Sequence, residues 1–182
     1  DIYVACNAGI AMFPGDGGTS SILARNAGAA VRRARIENRI EGYKYYSADM
    51  IQSSQERLDI EIGIREALQL DEFELFFQPI IDLQTGALSA AECLLRCNNQ
   101  HLKNIYMDKI IGVAEKSSLI AEIDTWVLNA AIDQMQKWCD AGLSLPKISI
   151  NISATQFTNI DFMDRVFDTI KEVRFSPSRI QI

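Results

Sequence analysis

The sequence predicts an α/β protein that consists of two units. Strand-like and helix-like segments alternate along the 182 residues, which favours parallel strands connected by helices. A hairpin over residues 73–96 and an amphipathic helix over 120–141 are the clearest local signals, because their apolar residues recur at the strand period and the helix period, respectively. We expect the first unit in residues 1–50, a polar junction in 51–56 and the second unit in 57–182.

The first unit contains a predicted strand, a helix and a short strand, in that order. The first strand covers residues 3–13, the helix 19–37 and the second strand 43–47. Thr19 or Ser20 can accept a hydrogen bond from an exposed backbone N–H at the start of the helix. These three elements make up the first α/β unit.

The second unit begins with an amphipathic helix over residues 58–70 and continues into the hairpin. Residues 73–81 are rich in aromatic and β-branched side chains, and residues 82–86 have the composition of a turn. On the returning strand, 87–96, a period of two places alternate side chains on the same face. That face carries Leu88, Ala90, Glu92, Leu94 and Arg96.

Helices and strands alternate through the rest of the second unit. The long helix has Trp126 and Trp138 within its apolar stripe, so both tryptophans are expected in the core, and Gly142 suits its C-terminal end. We predict helices over 107–116, 120–141 and 160–173 and strands over 147–152 and 179–182.

Four short motifs follow one another in the second unit. They are Phe-Gln-Pro-Ile at 77–80, Asp-Leu-x-Thr-Gly at 82–86, Glu-Cys-Leu-Leu-Arg at 92–96 and Ile-Asn-Ile-Ser-Ala-x-Gln-Phe at 150–157. In this order they resemble the EAL domain, a family of cyclic di-GMP phosphodiesterases and receptors whose third motif usually has Ala in the second position. The resemblance covers residues 57–182 and implies the N-terminal half of a TIM-like (β/α) barrel.

Residues 7–14 and 23–35 resemble the last third of a GGDEF domain, the family of diguanylate cyclases that often precedes EAL domains. The resemblance implies the C-terminal part of a GGDEF α/β domain in residues 1–50. The Gly-Gly-Asp/Glu-Glu-Phe signature does not occur in the sequence, so no cyclase activity is assigned. The helix also departs from the family's usual Asp, Tyr and Lys, which indicates a degenerate domain. The three replacements are Gly28, Arg32 and Arg35.

Functional groups in a (β/α) barrel project from the C-terminal ends of the strands. Glu92 and Asn151 both lie late in predicted strands, and their oxygen atoms are ligands that Mg²⁺ or Mn²⁺ accepts. The resemblance implies that Glu92 is catalytic and binds this metal together with Asn151. It also implies that Arg96 contacts phosphate, which suits the two-point geometry of a guanidinium. Gln78 and Leu94 match positions that line the substrate cleft in the family.

Each of these side chains also has a structural interpretation. Glu92 and Arg96 can form a salt bridge along one strand, and Asn151 can satisfy a strand terminus. Cys93 and Cys97 share the strand face opposite Glu92, but zinc usually takes four ligands. With one His and no CxxC pair in the chain, unpaired thiols in a reducing compartment are the simpler account.

Composition restricts the partners of the chain. A net charge of −6 argues against an extended surface for a nucleic acid polymer, but it leaves a small anionic nucleotide, here cyclic di-GMP, as a partner. No apolar run reaches the ~18 residues of a membrane span. We therefore expect no membrane segment in this chain and a cytoplasmic location.

The expected barrel is larger than the matching segment. A barrel of this type needs about 250 residues, more than residues 57–182 provide. Residues 179–182 have the pattern of a further strand, so we expect the remaining acidic ligands and a catalytic Lys of the family beyond Ile182. A partial barrel leaves strand edges uncovered, which predicts self-association, with a homodimer as the expected assembly.

The sequence leaves two functional classes open. The first is a metal-dependent cyclic di-GMP phosphodiesterase that produces linear pGpG and is incomplete, and hence inactive alone, in this chain. The second is a non-catalytic GGDEF–EAL module that acts as a cyclic di-GMP receptor or a protein-interaction scaffold. Retention of Glu92, Arg96 and Asn151 favours the enzyme. Residues 97–106 favour the receptor, because they lack the family's usual Trp, His-Pro and Pro-x-x-Phe elements.

Overall fold

The computed structural model describes residues 6–37, 42–173 and 175–182. The chain divides into two compact units, Asp1–Leu58 and Asp59–Ile182. Among the described residues, no helix combines the length and the apolar character that crossing a bilayer requires.

The first unit has a parallel pair of strands connected by a helix. Strand β1 (Asn7–Ile10) pairs with β2 (Gly42–Tyr45), and helix α1 (Ser20–Glu37) lies between them in the chain. This order confirms the predicted strand, helix and strand. The first strand is shorter than predicted, because it ends before residues 11–13, and residues 3–5 lie outside the described residues.

The second unit begins within a helix that is longer than predicted. Helix α2 covers Asp49–Gln69, so residues 51–56, which we assigned to a polar junction, are helical. The helix thus begins before residue 58, where we predicted its start, and includes the predicted junction. The hydroxyls of Ser53 and Ser54 each donate to the Met50 carbonyl, and these two bonds keep both residues compatible with the helix. No Gly or Pro interrupts the first three turns, so the helix continues.

A four-stranded sheet forms the centre of residues 59–182 as described. Strands β3 (Phe73–Ile81) and β4 (Leu88–Cys97) form the predicted antiparallel hairpin. Strands β5 (Ile148–Ile150) and β6 (Ile180–Gln181) extend the sheet in parallel, in the order β3-β4-β5-β6. Both are shorter than predicted, and closure of such a sheet into a barrel stays a prediction.

Three predicted helices follow the hairpin. They are α3 (Met107–Lys116), α4 (Ile120–Asp140) and α5 (Ile160–Lys171). Helix α4 stops where predicted, since Gly142 has a φ of 75°, a left-handed conformation that glycine adopts without steric cost.

Both tryptophans of α4 pack against aromatic residues of the hairpin, as predicted for core positions. The Trp138 ring meets Phe77 edge to face, with ring centroids 4.8 Å apart, and Trp126 lies 5.8 Å from Phe73. The Trp126 indole N–H also donates to Asp71 at 3.2 Å, so its polar atom has a partner.

The sheet has one buried, apolar face and one exposed face that carries both polar and apolar side chains. The apolar face packs against the helices, and each fully buried Ile, Leu or Met contributes about 2 kcal/mol to stability. The opposite face carries the predicted site residues. Buried side chains of the apolar layer are Phe73, Cys93, Ile148 and Ile150 from the sheet and Ile123, Leu128 and Met135 from α4.

The loop after β4 is anchored on α2. Leu102 is 1% exposed, and a Cβ at Gly63 would lie 2.8 Å from its Cγ, so a glycine is needed for this close approach. Buried Asn99 donates to the Glu72 carboxylate at 2.7 Å. The loop that lacks the family's usual elements is therefore held by packing and hydrogen bonds of its own.

Candidate functional site

Glu92 and Asn151 meet where the parallel pairing between β4 and β5 ends, with Glu92 in the middle of β4 and Asn151 just after β5. Glu92 lies on β4 opposite Ser149 of β5, and Asn151 follows the last residue of β5. The Asn151 Nδ2 atom donates to Glu92 Oε1 at 2.8 Å. The structure thus brings together the two side chains that the sequence paired.

The other predicted site residues share the sheet face of Glu92. Gln78 is directly opposite Glu92 in the hairpin register, and Leu94 is opposite Phe76. Residues directly opposite each other in an antiparallel pair project to the same side, so Gln78, Glu92, Leu94 and, two residues on, Arg96 line one face.

Arg96 is exposed, and its guanidinium is oriented by two neighbours. Its Nη1 donates to the Leu95 carbonyl at 2.7 Å, and its guanidinium carbon lies 5.5 Å from the centre of the Phe76 ring. The alternative salt bridge with Glu92 does not form within the described chain, because residues four apart along a strand are separated by about 13 Å.

A cleft of about 400 Å³ opens beside these strand ends. Three of the predicted site residues, Leu94, Arg96 and Asn151, line it, whereas Gln78 and Glu92 do not. The cleft thus lies at the C-terminal ends of β4 and β5, where functional groups of β/α proteins gather.

Three carboxylates outside the predicted site, Asp108, Glu115 and Asp124, also line the cleft, and two of them bind Ser153. Asp124 of α4 accepts a hydrogen bond from Ser153 N at 3.2 Å, and Glu115 of α3 accepts one from Ser153 Oγ at 2.8 Å. Asp124 is 4% exposed. A charged residue among the buried positions of α4 was the available signal, but the sequence does not say which strand end faces that helix.

Burial controls the protonation of Asp124. Loss of hydration raises the pKa of its carboxyl from 3.8 to about 6, the hydrogen bond from Ser153 N opposes the shift, and the charge of Glu115 adds to it. Asp124 is therefore largely ionised at neutral pH and largely protonated below pH 5.

The side-chain oxygen atoms at this site are of the type that a hard divalent cation binds. Glu92 and Asn151 offer carboxylate and amide oxygens, which Mg²⁺ and Mn²⁺ prefer. The described residues contain no group of three or more His, Cys, Asp or Glu that could hold a metal by themselves. Cys93 suits zinc poorly, because burial raises the pKa of its thiol to about 12 and zinc binds the thiolate.

Two curated relatives align with nearly the whole chain. The bifunctional diguanylate cyclase/cyclic di-GMP phosphodiesterase MucR of Pseudomonas aeruginosa is 32% identical over 180 residues, and the cyclic di-GMP phosphodiesterase PdeR of Escherichia coli is 28% identical over 182 residues. The alignments cover 99% and 100% of this chain but 26% and 27% of the relatives. The chain thus spans about a quarter of their length.

The structural comparison agrees with these alignments. The solved structure described as "PaMucR Phosphodiesterase, c-di-GMP complex" superposes with a TM-score of 0.61 at 30% identity, covering 66% of this chain and 49% of that one. Residues 63–182, well over half of the chain, match the EAL domain. With the motifs at the strand ends and the shared fold, the chain belongs to the EAL domain family.

Proposed function

We propose that this chain carries part of the active site of a metal-dependent cyclic di-GMP phosphodiesterase, which hydrolyses one phosphodiester bond to give linear pGpG. The observation that carries the proposal is the 2.8 Å hydrogen bond between the Asn151 and Glu92 side chains, on the paired strands β4 and β5. The descriptions of MucR and PdeR as cyclic di-GMP phosphodiesterases support the same substrate here.

Arg96 binds a phosphate of the dinucleotide in this proposal. Its side chain lines the cleft, and the Leu95 carbonyl and the Phe76 ring restrict its orientation. A guanidinium can give two parallel hydrogen bonds to phosphate oxygens. Gln78 and Leu94, on the same sheet face, contact the rest of the nucleotide.

Glu92 and Asn151 hold the metal ion, Mg²⁺ or Mn²⁺, in this proposal. A bound ion of this kind lowers the pKa of a coordinated water and neutralises phosphate charge. The hydrogen bond between the two side chains keeps their metal-binding oxygen atoms close together before a metal binds. Two such side chains provide fewer oxygens than the cation takes, so further ligands are required.

The first unit, the cellular location and the assembly are also proposals. Residues 1–50 are proposed to be the C-terminal part of a degenerate GGDEF domain, supported by the parallel β1–β2 pair and by the alignment of MucR with 99% of the chain. A cytoplasmic location agrees with four free cysteines, which a reducing compartment maintains. A homodimer agrees with the uncovered edges of the sheet.

Turnover of cyclic di-GMP by the full-length protein with Mg²⁺ or Mn²⁺ tests the proposal. Glu92→Gln removes the carboxylate charge and retains the shape, so turnover should fall by about 100-fold or more because metal binding is impaired. Glu122→Gln, at an exposed carboxyl of α4, is the matched control and should retain activity. Equal turnover in the wild type and Glu92→Gln would contradict the assignment.

The loop over residues 97–106 supports a second candidate, a cyclic di-GMP receptor without catalysis. Its sequence departs from the family pattern beside Arg96, although packing holds it in place. Calorimetric binding of cyclic di-GMP to a full-length protein that shows no turnover would favour this receptor. A scaffold role would instead be indicated if neither binding nor turnover were found.

A further inference from the structure

Carboxylates from two helices hold the segment that follows β5. The strand ends at Ile150, and residues 151–153 have no strand partner in the described sheet. Ser153 N donates to Asp124 Oδ2, and Ser153 Oγ donates to Glu115 Oε1. Ser153 is therefore fixed from two sides at a point where the sheet no longer holds the backbone.

Both carboxylates occupy positions that are unfavourable for a negative charge. Asp124 is a buried position of α4, as are Ile123 and Val127, and burial removes hydration from its carboxyl. Glu115 lies in the last turn of α3, where the helix dipole disfavours an anion. Ser153 is the group that both residues bind, so a function at this residue accounts for both placements.

We propose that Asp124 and Glu115 are positioning residues, which hold Ser153 so that Asn151, two residues earlier, keeps its amide against Glu92. The predicted effect on turnover rests on the proposed function, whereas the predicted effect on the structure of the segment does not. It adds two side chains, from helices outside the predicted site, to the residues that determine the geometry of the strand end.

The flanks of Asn151 explain how the effect reaches it. On one side Ile150 is 1% exposed and pairs with Cys93 of β4. On the other side Ser153 is bound to both helices. With the backbone fixed at both ends, the Asn151 side chain has little freedom to leave Glu92, and loss of one anchor releases it.

Hydrogen exchange of the backbone amides of residues 151–155 in the full-length protein is the first measurement. Ser153→Ala and Glu115→Ala each remove the bond between Ser153 and α3, so exchange in this segment should rise by about tenfold, the value of one charge-assisted hydrogen bond. Glu115→Gln keeps an acceptor oxygen and is the matched control. Ser153→Ala also removes the 3.0 Å hydrogen bond between the Ser153 and Thr155 hydroxyls, so the variant that combines Ser153→Ala with Glu115→Ala should exchange no faster than Ser153→Ala alone.

Asp124 is tested in the same experiment. Asp124→Leu removes the acceptor of the Ser153 amide and should accelerate exchange at that amide, whereas Asp124→Asn keeps an acceptor oxygen and should not. If Asp124→Leu fails to fold, the Glu115 variants still test whether the hydrogen bonds of Ser153 hold residues 151–155 in place.

The Mn²⁺ dependence of turnover is the second measurement. In Glu115→Ala the concentration of Mn²⁺ for half-maximal turnover should rise by about tenfold, because a misplaced Asn151 binds the ion less well. The KM for cyclic di-GMP should stay unchanged. A general loss of stability does not produce this selective change.

Unchanged exchange at residues 151–155 in both alanine variants overturns the proposal. Faster exchange with an unchanged Mn²⁺ requirement also overturns it.

A wild type without turnover contradicts the proposed phosphodiesterase function instead, and Mn²⁺ binding measured by calorimetry then replaces the turnover titration. Weaker Mn²⁺ binding by Glu115→Ala supports the positioning role in that case, and equal or absent binding in all proteins overturns it.

Discussion

Arg96 shows how a single residue can remain available for an anionic ligand. Glu74, the residue opposite it on β3, accepts a hydrogen bond from Asn98 at 2.9 Å instead of pairing with the guanidinium. The Leu95 carbonyl and the Phe76 ring orient Arg96 without neutralising its charge. The described residues thus leave a preoriented cation at the cleft.

Arg96→Lys should weaken nucleotide binding more than it slows turnover. Lysine retains the charge but cannot form two parallel bonds, so the KM for cyclic di-GMP should rise by about tenfold with a smaller change in kcat. Steady-state kinetics of the full-length protein measures both values. Arg165→Lys on the exposed side of α5 is the control, and an unchanged KM in Arg96→Lys would exclude the phosphate contact.

Asp124 should make stability depend on pH. Its pKa is raised from 3.8 to about 6, chiefly by burial, so between these values the native state binds more protons than the unfolded state. The free energy of unfolding therefore falls as the pH rises from 4 to 7, by about 3 kcal/mol in total from this residue. Asp124→Asn should lack this component and gain stability relative to the wild type over the same range.

Urea denaturation followed by tryptophan fluorescence measures this difference, since both tryptophans of the chain lie on α4. Glu122→Gln removes an exposed charge from the same helix and controls for net charge. A stability difference between Asp124→Asn and the wild type that is constant from pH 4 to 7 would show that the carboxyl titrates normally.

At the scale of elements, α2 and the loop after β4 depend on a glycine. Gly63 faces Leu102, which is almost fully buried, and a Cβ at position 63 would lie 2.8 Å from the Leu102 Cγ. Asn99 of the same loop donates a hydrogen bond to the carboxylate of Glu72, which lies between α2 and β3. The loop therefore has a defined position although it lacks the family's usual sequence.

Gly63→Ala and Gly112→Ala should change stability in opposite directions. At Gly63 the new Cβ would meet Leu102 below 3.0 Å, and overpacking of about 1–3 kcal/mol exceeds the gain of about 1 kcal/mol in helix propensity. At Gly112 of α3 nothing lies within 4 Å, so only the gain remains. Denaturation midpoints of the two variants test this, and stabilisation by both would show that Leu102 yields.

At the scale of the whole molecule, the sheet of residues 59–182 presents uncovered edges and an uncovered face. In the described sheet β3 and β6 each have one neighbour. Four apolar side chains of the hairpin are exposed on the uncovered face or at its margin: Phe76, Ile80, Ile81 and Leu88. Such surfaces associate with copies of themselves when nothing else covers them.

The 182-residue chain expressed alone should therefore self-associate and hydrolyse cyclic di-GMP poorly. Light scattering after size exclusion measures the mass, and Ile80→Lys should shift the population towards monomer, because a charge opposes apolar contact at that edge. Ser178→Lys, at an exposed site outside the hairpin, controls for added charge. A monomeric, fully active chain would contradict this prediction.

Local sequence patterns were sufficient to predict the helices and strands of this protein and the residues of its motifs. A period of two placed Glu92, Leu94 and Arg96 on one face of β4, because strand periodicity is a local property. The position of Gln78 opposite Glu92 follows from the hairpin register in the structure. Helix ends were less predictable: residues 51–56 are polar yet helical, since Ser53 and Ser54 bond to the helix backbone. Strand ends were also misplaced, since pairing depends on distant segments.

Which side chains meet depends on the packing of distant segments. The tertiary structure brought Asn151 to Glu92 across 59 positions of sequence, and it replaced the supposed Glu92–Arg96 pair with a cation over Phe76. It also revealed the hydrogen bond between Ser153 and Asp124, which no local sequence pattern predicts. Periodicity determines the face on which a side chain lies, whereas contacts between strand ends and helices follow from the packing of segments far apart in the chain.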